Sequence, residues 1–183
     1  MLRRGNASKA FSQKPENKYI MKFINKNNEE IPADVWFKTI LPIMQEGYQL
    51  KICPAGRSMV PFLRGGRDEA VLSVPDSGRD FKKNDIVLIR FETGIFVLHR
   101  VYKINQNGIY TMGDGNIGLE GPYQREDVLA VADYIIRKGN KILNDDRKYM
   151  FLVNLWRFTR PFRPYIISGH AVLNRLIRRV RKR

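Results

Sequence analysis

Three polar side chains of the types that carry out nucleophilic hydrolysis follow one another along the chain. Ser58 lies in the segment GRSMVP, His99 in IFVLHRV, and Asp114 in the glycine-flanked segment MGDGN. A serine hydroxyl is a weak nucleophile at neutral pH, so it needs a base within hydrogen-bond reach to take its proton. A histidine can be that base, and an acid on its second ring nitrogen fixes its tautomer. Asp114 and Glu120 are both candidates for the acid.

Each of these residues also has an ordinary structural interpretation. Ser58 stands among glycines and prolines, where serine is a common turn residue. In IFVLHRVYKI, strand alternation puts His99 on the same face as Val97 and Val101, which is typical of a packed, hydrogen-bonded core histidine. The glycines beside Asp114 are a frequent turn signal. From the residues alone, both interpretations stay open.

The segments that must position these residues have the pattern of short β-strands. Runs rich in β-branched and aromatic residues, divided by polar and glycine-containing breaks, extend from Tyr48 to about Lys141. The predicted strands are YQLKIC, EAVLSV, DIVLIRF, IFVLHRVYKI, GIYTMG and VLAVADYII. The segment 137–148 is predicted to be a loop. We therefore expect a mainly β (α+β) fold with a mostly antiparallel sheet.

One helix is predicted before the sheet. Apolar residues recur at helical spacing in the segment 32–46, PADVWFKTILPIMQE. They are Val35, Trp36, Ile40, Leu41 and Met44. Pro42 is a candidate for a kink, and Gly47 is a natural stop signal.

The charge of the 183-residue chain is concentrated near its C-terminus. The formal net charge is +15, and the segment 147–183 holds eleven Lys and Arg residues without Asp or Glu. Such a segment is either a solubilising end or a site for an anionic partner, of which a phospholipid surface is favoured over nucleic acid. At its end, Ile166, Leu173, Ile177 and Val180 share one helical face among arginines. That pattern predicts an interfacial amphipathic helix or, alternatively, a helix that docks on the sheet.

The composition divides the chain into three parts and excludes several classes of protein. We expect a disordered basic lead-in at 1–20, a globular domain at 21–146 and a basic helical segment at 147–183. Neither a secretory signal nor a membrane-spanning apolar run is found, so a cytoplasmic location is expected. The one cysteine, Cys53, excludes an internal disulfide and is expected to be buried. No metal site, phosphate loop or cofactor motif is indicated.

Taken in order, GRSMVP, KKNDIVLIRFETGIFVLHRV and GIYTMGDGN resemble the type I signal peptidases and the LexA-like repressor peptidases, a superfamily of serine proteases with one β-rich catalytic fold. The resemblance covers about Tyr48 to Ala132. It implies a LexA/signal-peptidase-like β-ribbon fold. The base in this superfamily is lysine in some branches and histidine in others, and LHRV is similar to the histidine branch.

The resemblance also implies roles for individual residues. Ser58 matches the nucleophile of the S-M-x-P motif, with Met59 and Pro61 matching around it, and His99 matches the base. Asp114 or Glu120 is then the acid that assists the histidine. The residues expected around the substrate and the oxyanion are Gly56, Arg57, Met59, Pro61 and Arg100. Because Gly56 carries no hydroxyl, an oxyanion would depend chiefly on backbone N–H groups near Ser58.

The chain departs from the better-known members, because it has neither their membrane anchors nor a DNA-binding helix-turn-helix before the sheet. Its overall plan is similar to the small soluble peptidases of this superfamily in Bacteroidetes-type bacteria, and this resemblance implies a role in the maturation of small modified peptides. We therefore expect a serine endopeptidase that acts on an extended peptide or protein segment, located in the cytoplasm or peripherally at the inner membrane face. The alternative is a non-catalytic module of the same fold that binds anionic membrane or nucleic acid through 147–183.

Overall fold

A computed structural model describes residues 23–24, 30–31, 33–90 and 96–163. The predicted lead-in at 1–20 and the amphipathic end of the chain at 165–183 lie outside the described residues. Two short strands, β1 (Phe23–Ile24) and β2 (Glu30–Ile31), pair with each other ahead of the main domain.

The main domain is built on an antiparallel sheet of eight strands. They are β3 (Leu50–Ile52), β4 (Glu69–Ser73), β5 (Ile86–Arg90), β6 (Phe96–Asn105), β7 (Gly108–Met112), β8 (Glu120–Tyr123), β9 (Val128–Arg137) and β10 (Asn140–Leu143). Seven of them run in the order β3-β4-β9-β5-β6-β7-β8, and β10 pairs with β9 beside this path. With the two α-helices found among the described residues, this architecture confirms the predicted mainly β, α+β class.

Strand β5 shows that the sheet is covered by apolar residues on both of its faces. All four residues from Ile86 to Ile89 are fully buried, which requires cover on each side of the strand. Leu88 and Leu98 belong to the larger apolar cluster on one face. Val87 and Val97 belong to a second cluster on the other face. The alternation predicted for β6 is therefore observed.

Helix α1 (Ala33–Gln45) covers part of the predicted segment and continues through Pro42. Leu41 and Met44 are buried, and Met44 packs in the larger cluster. Gly47 adopts a φ of +98°, the left-handed conformation that ends many helices. The helix therefore ends where its glycine signal predicts.

Helix α2 (Arg147–Phe158) joins the sheet rather than projecting from it. The side chain of Asp146 accepts a hydrogen bond of 2.7 Å from the backbone N–H of Tyr149, which caps the helix. Tyr149 and Val153, one turn apart, are buried in the larger cluster. A 3-10 turn at Arg160–Phe162 follows. The described first half of the basic segment is thus part of the folded domain.

Two local expectations were wrong, and one strand was not predicted. The segment 137–148 is not a loop: Lys138 and Gly139, both with positive φ, form the turn of a hairpin that leads into β10. Strand β8 was not predicted because its sequence, EGPY, carries a glycine and a proline that are rare in strand interiors. Cys53, expected to be buried, is exposed directly after β3.

No helix among the described residues is long and apolar enough to cross a membrane.

Candidate active site

Ser58 lies in the turn-rich connection between β3 and β4, where it is partly exposed. The residues that follow fix this connection to the core, because Met59, Phe62 and Leu63 are buried. Backbone hydrogen bonds from Val60 N to Arg57 O (3.1 Å) and from Leu63 N to Met59 O (2.9 Å) tighten the turn. The serine is therefore held at the surface by apolar neighbours below it.

The predicted Gly-Asp turn after β7 packs directly against the Ser58 turn. The backbone N–H of Gly115 donates a hydrogen bond of 2.7 Å to the carbonyl of Ser58. A Cβ atom on Gly113 would lie 2.6 Å from the same carbonyl, and one on Gly115 would lie 2.9 Å from the carbonyl of Arg57. Glycine is required at both positions because the two backbones approach so closely. Two of the three predicted motifs are thereby in contact.

His99 lies on β6 and is only 1% exposed. Its Nδ1 lies 2.5 Å from Oε2 of Glu120, which begins β8. In the tautomer in which Nδ1 donates to this carboxylate, the lone pair of the neutral ring is on Nε2. Nε2 is buried and has no hydrogen-bond partner among the described residues. A buried polar atom without a partner costs about 1–3 kcal/mol, so it is a candidate for a functional group.

The register of the sheet places His99 near the serine turn. Arg100 pairs with Met112, and Gly113, which contacts the Ser58 carbonyl, is the next residue along the chain. Ser58 also lines a small recess with Leu98, whose side chain lies on the face of β6 opposite to His99; the other lining residues are Pro54, Ala55, Gly56, Met59, Leu63 and Gly65. No hydrogen bond joins Ser58 Oγ to His99 Nε2 in this structure. The two side chains thus occupy neighbouring elements without direct bonding.

Asp114 bonds to Arg100 and not to His99. Its two carboxylate oxygens accept hydrogen bonds of 2.8 Å each from Nε and Nη2 of Arg100, and both side chains are buried. Nη2 of Arg100 also donates to the hydroxyl of Tyr149 at 2.9 Å. Arg100 and His99 are successive residues of a strand, so they point to opposite faces of the sheet. Of the two candidate acids, only Glu120 contacts the histidine.

The contacts with Asp114 and Tyr149 keep the buried Arg100 guanidinium charged. Burial alone acts to lower the pKa of Arg100, but the negative charge of Asp114 and the hydrogen bonds to Asp114 and Tyr149 outweigh it, and the pKa is raised above its ordinary value. Burial raises the pKa of the Tyr149 phenol, which stays protonated at neutral pH. The guanidinium also lies over the rings of Phe62 and Tyr149, with centroid distances of 5.8 and 5.6 Å. These contacts fix the Gly-Asp turn to the sheet.

The residues predicted around the substrate divide into two groups. Gly56 and Arg57 are exposed beside Ser58, and Pro61 is partly buried in the same turn. Met59 is 3% exposed and packs beneath the turn. Arg100, predicted to lie near the substrate, is instead buried and bonded to Asp114, because the strand alternation turns it toward the larger cluster.

Sequence analysis missed a group of side chains from the C-terminal part of the domain. Nε1 of Trp156 donates a hydrogen bond of 2.6 Å to the carbonyl of Asp114. Arg160 donates to the carbonyl of Ile117 at 2.8 and 3.0 Å, and Arg163, which is 1% exposed, donates to the carbonyl of Asn116. The loop between β7 and β8 is thus held by α2 and the turn after it. The sequence shows the cluster of basic residues at 147–163, but it does not show that the arginines bind the loop between β7 and β8.

No protein-family model, curated protein or solved structure matches this chain in the comparisons made. Among the described residues, no group of three or more His, Cys, Asp or Glu side chains could hold a metal ion.

Proposed function

We propose that this protein is a serine endopeptidase of the signal peptidase/LexA-like type. In this proposal Ser58 is the nucleophile, His99 is the general base, and Glu120 orients His99. The observation that carries the proposal is the different environment of the two ring nitrogens of His99. Its Nδ1 is bonded to Glu120 and its buried Nε2 has no partner among the described residues, on the strand beside the turn that contacts Ser58.

The proposed reaction begins when Oγ of Ser58 attacks the scissile carbonyl carbon and Nε2 of His99 takes its proton. The oxyanion that forms is stabilised by backbone N–H groups near Ser58, for which those of Ser58 and Met59 are candidates. When the C–N bond breaks, Nε2 returns the proton to the leaving amine, and an acyl ester remains on Ser58. Water then attacks this ester by the same proton relay and releases the second product.

Formation of the dyad requires Ser58 Oγ to come within about 2.6–3.2 Å of His99 Nε2. Catalytic hydrogen bonds are often long or misaligned before substrate binds, so their absence in the free protein is compatible with the proposal. In this proposal substrate binding brings the two groups together, because a peptide bound along the surface beside Ser58 would contact the turn that carries it.

The structure favours an extended peptide as substrate. Strand β3, which leads into the serine turn, lies at one end of the described sheet order, where its outer edge can pair with an added strand. The recess beside Ser58 is small, and Ala55, Leu63 and Leu98 are among the residues that line it.

A fluorophosphonate probe tests the nucleophile without knowledge of the substrate. We expect peptide mapping to find the adduct on Ser58 in the wild-type chain, no such adduct in Ser58→Ala, and labelling at least about tenfold slower in His99→Gln. Ser77→Ala, which alters an exposed serine in another turn, should label like the wild type. Circular dichroism of each variant checks that it is folded.

Cleavage of a diverse peptide library, followed by mass spectrometry, tests the reaction itself. Products formed by the wild type and by Ser77→Ala, and absent with Ser58→Ala, would support the proposal. Equal cleavage by wild type and Ser58→Ala, or a folded wild-type chain that neither labels at Ser58 nor cuts any library peptide, would overturn it.

A further inference from the structure

Helix α2 has two faces with opposite character. Its inner face, with Tyr149, Val153 and Trp156, packs against the larger apolar cluster. The opposite side carries a second row of large apolar residues, which we call the outer face of α2. They are Phe151, Leu152, Leu155, Phe158 and, in the turn that follows, Phe162. The apolar character of α2 is thus divided between a buried side and an exposed side.

The outer face is contiguous and highly exposed. Its members are between 50% and 80% exposed, and Phe158 is the most exposed of them. Positions 151, 155, 158 and 162 are spaced by three or four residues, so they form one stripe along the helix and its extension. Large apolar side chains grouped in this way on a protein surface mark a site of contact with a partner or a membrane.

The charges beside the stripe select the kind of partner. Arg147 and Lys148 are exposed in the first turn of α2. No Asp or Glu occurs anywhere in 147–183, where eleven Lys and Arg residues are found. Apolar side chains that enter the acyl boundary, combined with cations that meet anionic headgroups, are the features of helices that lie in a membrane interface.

We propose that the outer face of α2 binds an anionic phospholipid surface, with Phe151, Leu155 and Phe158 inserted and with Arg147 and Lys148 at the level of the headgroups. The proposal rests on the exposed stripe and its charges and does not depend on the peptidase activity.

Charge complementarity separates this partner from the other occupants of such a surface. A second copy of the chain has the same net charge of +15, and the segment 164–183 is itself basic and without acidic residues. Either would bring like charges together at the rim of the stripe. A nucleic acid would satisfy the cations but would leave most of the apolar area without a matching partner.

The test uses point variants of the full chain. Deletion of 147–183 is unsuitable because Tyr149 and Val153 belong to the core. Binding to vesicles of phosphatidylcholine mixed with phosphatidylserine, and to vesicles of pure phosphatidylcholine, is measured by sedimentation for the wild type, Leu155→Asp and Phe158→Asp. Tyr48→Asp is the matched control, since it places the same charge at a residue that is 62% exposed on a different part of the surface.

We expect the wild type to bind the anionic vesicles, and each α2 variant to bind them about tenfold or more weakly, as the loss of one inserted apolar side chain predicts. Tyr48→Asp should bind within about threefold of the wild type, which is the effect expected for one distant charge. Pure phosphatidylcholine should bind much more weakly than the mixed vesicles.

Several results would overturn the proposal. One is equal affinity of Phe158→Asp and the wild type for the mixed vesicles, and another is no vesicle binding by a folded wild-type chain. Equal binding to charged and neutral vesicles would remove the role of the cations. Two further outcomes would assign the face to another occupant: a dimer in sedimentation velocity that Phe158→Asp dissociates, or an oligonucleotide that binds more tightly than the vesicles and depends on Phe158.

Discussion

Glu120 Oε2 and His99 Nδ1 are 2.5 Å apart, and this contact joins the first residue of β8 to the middle of β6 across the intervening strand β7. The other nearby acid, Asp114, is bonded through both of its oxygens to Arg100 on the opposite face of β6. The two carboxylates therefore have different partners. We expect substitution of one to affect the histidine and substitution of the other to affect the fold.

Glu120→Gln should slow the proposed chemistry while the protein remains folded. The amide keeps the shape of the side chain but loses the charge that stabilises an imidazolium, so we expect the rate of Ser58 acylation to fall by about 10²-fold or more. The measurement is the rate of probe labelling at saturating probe, together with the unfolding midpoint in urea. Glu126→Gln, an exposed acid in the turn before β9, is the control. An unchanged labelling rate would remove Glu120 from the mechanism.

Asp114→Asn should destabilise the protein strongly, because it leaves the Arg100 guanidinium buried without its counter-charge. Loss of one partner of a buried ion pair costs about 3–5 kcal/mol in free energy of unfolding. Urea denaturation of Asp114→Asn, compared with Asp76→Asn at an exposed position, measures this difference. The same stability in both variants would show that the pair with Arg100 is not a structural requirement.

Gly113→Ala should disturb the contact between the two motif-bearing turns. The added methyl group would lie 2.6 Å from the carbonyl of Ser58, so the serine turn has to move, and we expect a cost of about 1–3 kcal/mol together with slower labelling of Ser58. Gly118→Ala is a control in the same loop, because nothing lies within 4 Å of its added Cβ. If both variants behave like the wild type, the serine turn does not depend on this contact.

We expect Asp68 to make the free energy of unfolding depend on pH in the acid range. Its carboxylate accepts hydrogen bonds from Arg64 N, from the Arg67 guanidinium and from Lys138 N. Burial acts to raise the pKa of Asp68, but these hydrogen bonds and the charge of Arg67 outweigh it and lower the pKa below its ordinary value of 3.8. A pKa that is lower in the folded state means that the unfolded chain binds more protons at acid pH.

The contribution of Asp68 to stability is therefore complete above pH 3.8 and is lost as the pH falls through its lowered pKa. Asp68→Asn should lower the free energy of unfolding at neutral pH and lose less of it between neutral pH and about pH 3 than the wild type does. Urea denaturation across this pH range measures how the free energy of unfolding of the wild type and of the variant changes with pH. Parallel pH profiles for wild type and variant would contradict the assignment.

Much of the sheet follows from local sequence. Runs such as DIVLIRF and VLAVADYII have the β-branched content that strands require, and the order of polar breaks separates them correctly. Strand β8 could not be predicted in this way, since EGPY lacks that composition and forms because β7 offers it a partner. The same limit applies to the site: the choice between Asp114 and Glu120 depends on pairing between β7 and β8, which no local pattern encodes.

The roles of the C-terminal residues were hidden for a related reason. Trp156 and Arg163 are far along the chain from the loop that they contact, and Tyr149 is far from its partner Arg100 on β6. The residue types of all three fit a basic amphipathic helix equally well. Helical periodicity identifies α2 but does not say which side faces the sheet, because both sides carry apolar residues. Contacts between residues far apart in the chain determine which side of α2 faces the sheet.

The hydrogen bonds from Trp156, Arg160 and Arg163 to the loop before Glu120 also bear on the order in which the protein is made. Synthesis delivers Ser58, His99 and Glu120 well before α2, so a chain on the ribosome carries all three without the residues that hold their connecting loop in place. If the proposed peptidase needs this loop held in place, we expect a nascent chain that lacks Trp156, Arg160 and Arg163 to be inactive.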